Sequence, residues 1–292
     1  MRISISTVVS LFQSYGRLMR LDRPVGILLL LWPTLWALWI AARGVPSIKI
    51  LLVFMAGVVL MRAAGCIIND WADREWDGHV ERTRWRPFPQ GQVNSRGAIT
   101  LFVIVCLLAA ALLLLLNPLT AWLAVLGFLL TLIYPFTKRY LHLPQVVLGL
   151  AFAWGVPMAF AAQTNHVPKI AWFLFLLTAL WTIVYDTEYA MVDRPDDMKI
   201  GIKSMAILLG RYDRVTILAL QCTVWLGLLY MGIQLALRID YYVGLLAVAL
   251  LMGYQHYLIR DRQPARCFRA FLNNQWIGMV IFAGIFLSYW GS

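Results

Sequence analysis

The stretch Met61-Arg62-Ala63-Ala64-Gly65-Cys66-Ile67-Ile68-Asn69-Asp70-Trp71-Ala72-Asp73-Arg74-Glu75-Trp76-Asp77 decides the fold. It ends an apolar run at 49–67, about the 20 residues that cross a bilayer, and passes directly into carboxylates four residues apart. A run apolar on every side that stops on a polar cluster predicts a membrane span whose helix leaves the lipid there.

Working outward, further apolar runs near 25–41, 98–115, 119–134, 145–162, 170–186, 214–233, 241–258 and 274–290 bring the predicted spans to nine. Nine spans of roughly 20 residues absorb nearly all of a composition that is 61% apolar and 13% charged over 292 residues. A soluble domain is nearer half apolar, so a cytosolic enzyme, a disordered chain and a secreted module are excluded. Asn117-Pro118 splits one long Leu-rich stretch, because proline cannot continue a helix, and this predicts a tight hairpin of two spans. The expected fold is all-α, a bundle of nine transmembrane helices forming one domain over 1–292.

The net charge of +11 does not point to nucleic acid, because membrane proteins collect Lys and Arg in their cytoplasmic loops. With a cytoplasmic N-terminus, twenty of the 25 basic residues, Arg2 among them, fall on that side. Only Arg43, Lys49, Lys169 and Arg238 face the other way, and Arg62 lies within a span. The first 24 residues surround a short apolar run at 8–12 with arginines, too brief for a secretory leader. Cys66, Cys106, Cys222 and Cys267 lie far apart without ligand spacing, so neither disulfides nor zinc are expected.

Two loops are long, 68–97 and 187–213, both cytoplasmic and four spans apart. That placement suggests a pseudo-repeat of two four-helix halves plus a ninth helix. In the first loop Asn69, Asp73 and Asp77 stand at i, i+4, i+8, one face of a helix continuing out of its span. In the second, Asp186, Asp193 and Asp197 stand at i, i+7, i+11, again one face if the helix survives Pro195. Like charges so placed repel, and a divalent cation relieves the repulsion. Oxygen donors without His or Cys suit Mg²⁺, which is commonly shared between carboxylates and a substrate phosphate. Two such clusters across one cavity would clamp a diphosphate. Arg82, Arg86, Lys138 and Lys199 interleave with them as phosphate-binding cations, and Tyr134, Tyr185 and Tyr189 lie at the same mouth. A guanidinium inside a membrane needs an interior partner. Arg62 lies seven residues before Asn69, roughly 10 Å deeper on nearly the same face, and is assigned to the carboxylate of an aromatic acid below the diphosphate.

At these residues the chain resembles the UbiA-type intramembrane prenyltransferases, most closely those that prenylate 4-hydroxybenzoate in ubiquinone synthesis. The resemblance is carried by Arg20-Leu21-Asp22-Arg23-Pro24, by Asn69-Asp70-x-x-Asp73-x-x-x-Asp77 and Arg82-Thr83-x-x-Arg86-Pro87, and by Tyr134-Pro135-Phe136-Thr137-Lys138 and Asp186-Thr187-x-Tyr189-Ala190-Met191-x-Asp193-Arg194. It implies a nine-helix ring whose central cavity opens sideways to lipid, with Asn69, Asp73, Asp77, Asp186, Asp193 and Asp197 holding Mg²⁺ and the diphosphate of a polyprenyl donor. Arg82, Tyr134 and Lys138 are implied as further diphosphate contacts. The acidic motifs carry catalysis, with Asp193 or Asp70 assisting removal of the ring proton. A bacterial inner membrane is the implied location. The competing readings are a relative with another aromatic acceptor and a cation-coupled transporter, whose acidic sites would stand nearer the bilayer midplane.

Overall fold

The computed structural model describes residues 5–290, so Arg2 lies outside the described residues. Twelve α-helices follow in order: α1 Ile5–Leu18, α2 Val25–Ala42, α3 Ile48–Asp73, α4 Ser95–Leu113, α5 Pro118–Tyr140, α6 Pro144–Ala153, α7 Gly155–Thr164, α8 Lys169–Ile200, α9 Met205–Leu209, α10 Asp213–Gln234, α11 Ile239–Ile259 and α12 Pro264–Trp290. No strand occurs among the described residues. Among the described residues nine helical segments are long and apolar enough to cross a membrane, α6 with α7 and α9 with α10 each counting as one. The protein is a polytopic membrane protein.

The spans close into a ring. α2 packs on α3 and α7, α3 on α4 and α5, α5 on α6 and α7, α6 on α8, and α8 on α10 and α12; α11 joins α10 to α12, which returns to α2. Aromatic side chains fill the wall away from the cavity. The Trp36 and Trp181 rings lie 5.2 Å apart, and the Trp36 indole N–H donates to the Gly278 carbonyl at 3.0 Å. α1, ahead of the first span, seats a fully enclosed Leu18 against Ala63, Ala64 and Ile67 of α3.

Three expectations change. The hairpin at Asn117 is tight at its turn, where the Asn117 side chain accepts from the Thr120 N–H at 2.9 Å and starts α5. The two helices nevertheless diverge: α4 lies on α3, while α5 lies on α3, α6 and α7. Phe102 on α4 reaches Phe128 on α5 with ring centroids 6.5 Å apart, bridging the wedge between them. Second, much of the loop expected at 187–213 is helix, because α8 runs unbroken through Pro195 to Ile200. Its 32 residues span about 48 Å, so roughly 18 Å stands beyond a hydrocarbon core of about 30 Å. Third, α12 begins ten residues before the apolar run that announced it, at Pro264.

Candidate active site

The ring encloses a cavity of about 1410 Å³. Its deep part is walled by apolar side chains of α2, α3, α4 and α5, among them Leu29, Val58, Phe102, Ala110, Val125 and Phe128. Its other end is polar: Arg62, Asn69, Asp70, Tyr134, Tyr185, Asp186 and Tyr189 line it, and Arg17, Arg20, Arg23, Arg82 and Arg86 stand at the mouth. Such a chamber accepts an amphiphile with a long apolar tail and an anionic head.

α3 presents the first motif. The Asn69 amide donates to Asp73 Oδ2 at 3.1 Å, the i, i+4 contact expected of one helical face, and Lys138 of α5 grips the same oxygen. Asp73 Oδ1 is enclosed and has no hydrogen-bond partner. α3 ends at Asp73, so Asp77 is carried instead by a short 3₁₀ turn, Asp77–His79, where Arg86 pairs with it at 2.9 Å. Burial pushes the Asp77 carboxyl above its ordinary value, and the Arg86 charge opposes that rise. Asp70 lines the same end but is paired with arginines of the mouth. It is 1% exposed and gives its oxygens to Arg20 at 2.8 Å and to Arg86 at 3.0 Å.

α8 presents the second motif on its overhang. Asp186 lines the cavity beside the Gln145 amide. About two turns further out, Asp193 accepts two bonds from Arg82, Nε at 2.8 Å and Nη2 at 2.5 Å, and the Arg82 guanidinium lies 4.3 Å from the Tyr189 ring. Lys138 stands within electrostatic reach of Asp77 and of Asp197, so the two motifs meet around it. The loop after α3 is pinned to α8 by the Arg82–Asp193 fork and by the Glu81 N–H donating to Asp196 at 3.1 Å. Lys199 is not part of this assembly. It is exposed and pairs outward with Asp196 at 3.1 Å, on the far side of α8 from Asp186.

Among the described residues no three acidic side chains, histidines or cysteines stand close enough to form a metal cage by themselves. The carboxylates hold Lys138, Arg82 and Arg86 instead. An all-oxygen donor set with the enclosed, unpartnered Asp73 Oδ1 does fit a hard divalent ion that takes its remaining ligands from water and phosphate.

Arg62 occupies the floor of the polar end. The side chain is partly open to the cavity, its Nε is enclosed without a hydrogen-bond partner, and its guanidinium lies 5.6 Å from the Phe152 ring. Two partnerships escaped the sequence reading: Arg20 with Asp70, fifty residues away, and the close approach of Gly26 to Arg62. Neither has a periodic signature.

A membrane ring with an amphiphile chamber and two acidic motifs at one end defines the class of intramembrane enzymes that take prenyl diphosphates. The chain belongs to the UbiA prenyltransferase family, whose model matches residues 30–287. It is similar to the 4-hydroxybenzoate octaprenyltransferase of Coxiella burnetii (strain CbuK_Q154), 58% identical over 94% of this chain and 96% of that one. The enzyme of the same name from Vibrio vulnificus (strain CMCP6) is 54% identical over 95% and 98%. Among solved structures, the apo UbiA homolog from Aeropyrum pernix K1 superposes with a TM-score of 0.78 at 24% identity, covering 90% of this chain and 97% of that one. A UbiA homolog from Archaeoglobus fulgidus bound to GPP and Mg2+ gives 0.76 at 16% identity, covering 96% and 100%. These structural likenesses establish the shared fold.

Proposed function

We propose that this protein transfers a polyprenyl group from its allylic diphosphate to the ring carbon ortho to the hydroxyl of 4-hydroxybenzoate, releasing diphosphate, as a step of ubiquinone synthesis. The observation that carries this reading is the polarity of the chamber: apolar depth, a charged mouth, and Arg62 with an unpartnered nitrogen between them. The 58% identity to a named 4-hydroxybenzoate octaprenyltransferase supports it. The whole chain acts as one unit, α3 with the turn after it contributing one acidic motif and α8 the other, from spans four apart. The bacterial relatives support an inner-membrane location, and the excess of basic residues on the motif side supports a cytoplasmic N-terminus and site.

In this reading Asn69, Asp73 and Asp77 with Asp186, Asp193 and Asp197 hold Mg²⁺ and the donor diphosphate. Bound there, Mg²⁺ supplies positive charge against the charge that develops on the leaving group. Arg82, Lys138 and Tyr134 contact the diphosphate oxygens as the C1–O bond breaks and its electron pair leaves with diphosphate. The apolar walls keep water from the allylic cation. Arg62 takes the acceptor carboxylate and so aims the ring. The ortho carbon forms the new C–C bond, and its proton is lost to Asp193 or to the departing diphosphate. Asp70, which lines the chamber with its oxygens paired to Arg20 and Arg86, is the alternative acceptor, and Asp193 is likewise paired, to Arg82.

The test is diphosphate release by purified protein in detergent, supplied with an allylic polyprenyl diphosphate and 4-hydroxybenzoate. Both diphosphate and a prenylated acid are expected with Mg²⁺, and neither after EDTA. A product formed only with a different aromatic acceptor would remove the proposed substrate, and product formation undiminished by EDTA would remove the metal.

A further inference from the structure

A second ionic assembly lies outside the chamber, where α8, α10 and the α11–α12 turn meet. The Asp213 carboxylate is closed to solvent and held by two arginines. Arg262 grips it as a fork, Nε at 2.9 Å from Oδ2 and Nη2 at 2.7 Å from Oδ1. Arg194 Nη1 donates to Oδ2 at 3.2 Å, and the Arg214 N–H donates to Oδ1 at 2.7 Å. Arg262 also donates to the Arg211 carbonyl at 3.0 Å, while its own backbone sits in the left-handed region at φ 52. A non-glycine residue there is strained, and the fork it makes offsets that strain.

Arg194 is the residue next to Asp193. Neighbours on a helix point about 100° apart, whereas Asp193 and Asp197 point nearly the same way. Anchoring Arg194 therefore constrains the rotation of the α8 overhang, the part of the helix in excess of a bilayer core, together with the Arg82–Asp193 and Glu81–Asp196 contacts. Buried ion pairs add little net stability over apolar packing, so a triad enclosed here is better matched to fixing one geometry than to holding the fold.

We propose that Arg194, Asp213 and Arg262 are positioning residues that set the rotation of the α8 overhang and so aim Asp193 and Asp197 at the diphosphate. The proposal rests on the reading of those two aspartates as donors in the site. None of the three lines the chamber, and neither do Asp193 and Asp197; the three act through the helix, as groups behind metal ligands commonly do.

The experiment uses full-length protein in detergent, with Asp213→Asn, Arg194→Gln, the double variant and Arg262→Lys. Two quantities are measured: the Mg²⁺ concentration that half-activates diphosphate release, and the rise in Tm caused by Mg²⁺ with a non-hydrolysable allylic thiolodiphosphate. Each neutralising variant is expected to raise the half-activating Mg²⁺ by about tenfold and to shrink the ligand-induced rise in Tm, with a smaller change in kcat at saturating Mg²⁺. The double variant is expected to be no worse than the stronger single one, because both act through one contact. Arg262→Lys, which keeps the charge and loses the fork, is expected to fall between, and it carries the test if Asp213→Asn does not fold. Folded variants with an unchanged Mg²⁺ midpoint and unchanged ligand response, or additive single effects, would overturn the proposal. Asp193→Ala separates the two readings. If it is inactive while Asp213→Asn behaves as wild type, only the positioning role fails; if it keeps ordinary Mg²⁺ dependence, the donor reading fails and takes the positioning role with it.

Discussion

Gly26 lacks a side chain where Arg62 needs room. A Cβ built there would stand 2.6 Å from the Arg62 Nη2 and 2.8 Å from its Cζ, so the guanidinium has its place only because position 26 is glycine. Arg62→Ala is expected to raise the KM for 4-hydroxybenzoate by roughly 30-fold, the loss of one charged hydrogen bond of about 2 kcal/mol, with little change in the KM for the donor. Gly26→Ala is expected to move the same constant the same way by pushing the guanidinium aside. Steady-state kinetics with each substrate varied in turn check both, and equal effects on donor and acceptor would contradict the assignment. Asp73→Ala and Asp193→Ala address the other end of the chamber. Each is expected to lower turnover by about 10²–10³-fold, as for other groups that support developing charge, and Mg²⁺-dependent turnover near the wild-type rate in either variant would exclude it from the site.

The segment between α3 and α4 is held by charge as well as by the burial of Val80 and Val93. Arg20, Asp70, Arg86 and Asp77 form a continuous chain of ion pairs from the α1–α2 turn to the 3₁₀ turn, and the Thr83 hydroxyl closes it by donating to the Asp77 carbonyl at 2.7 Å. Arg86→Ala leaves two buried carboxylates without that partner and is expected to cost about 3–5 kcal/mol. Thermal unfolding in detergent and proteolysis between 74 and 94 should report it, and an unchanged Tm would mean the loop has other support. At this scale the limits of sequence reading are visible. The spans were legible because length and hydropathy need no partner, and Asn69 with Asp73 was legible because four-residue spacing is local. The outward face of Lys199 depends on α8 continuing through Pro195 to Ile200, and the position of Asp77 on α3 ending at Asp73, and neither a helix's persistence past a proline nor its last residue is fixed by spacing alone. An apolar window does not register an amphipathic helix that has left the membrane. The Arg20–Asp70 pair and the Asp213 triad join residues far apart in the chain, which no periodicity in one sequence reports.

Across the whole molecule, ring closure places one polar end and one apolar depth in a single chamber, and the diverging α4 and α5 leave a wedge in its wall. Ala110 lines the chamber and is itself exposed in that wedge. Ala110→Trp is expected to lower kcat/KM for a long polyprenyl donor by about tenfold, the effect of overfilling a packed apolar site by 1–3 kcal/mol, while a ten-carbon donor is affected less. Competition between donors of different length measures this, and equal losses for both would mean that the tail passes elsewhere. The wedge has one more consequence. An acyl chain from a phospholipid or a detergent is, to such an opening, nearly the same object as an isoprenoid, so the enzyme works in a solvent that is also its competitor. Apparent affinity for the donor should then depend on the mole fraction of donor in the surrounding amphiphile rather than on its concentration in water.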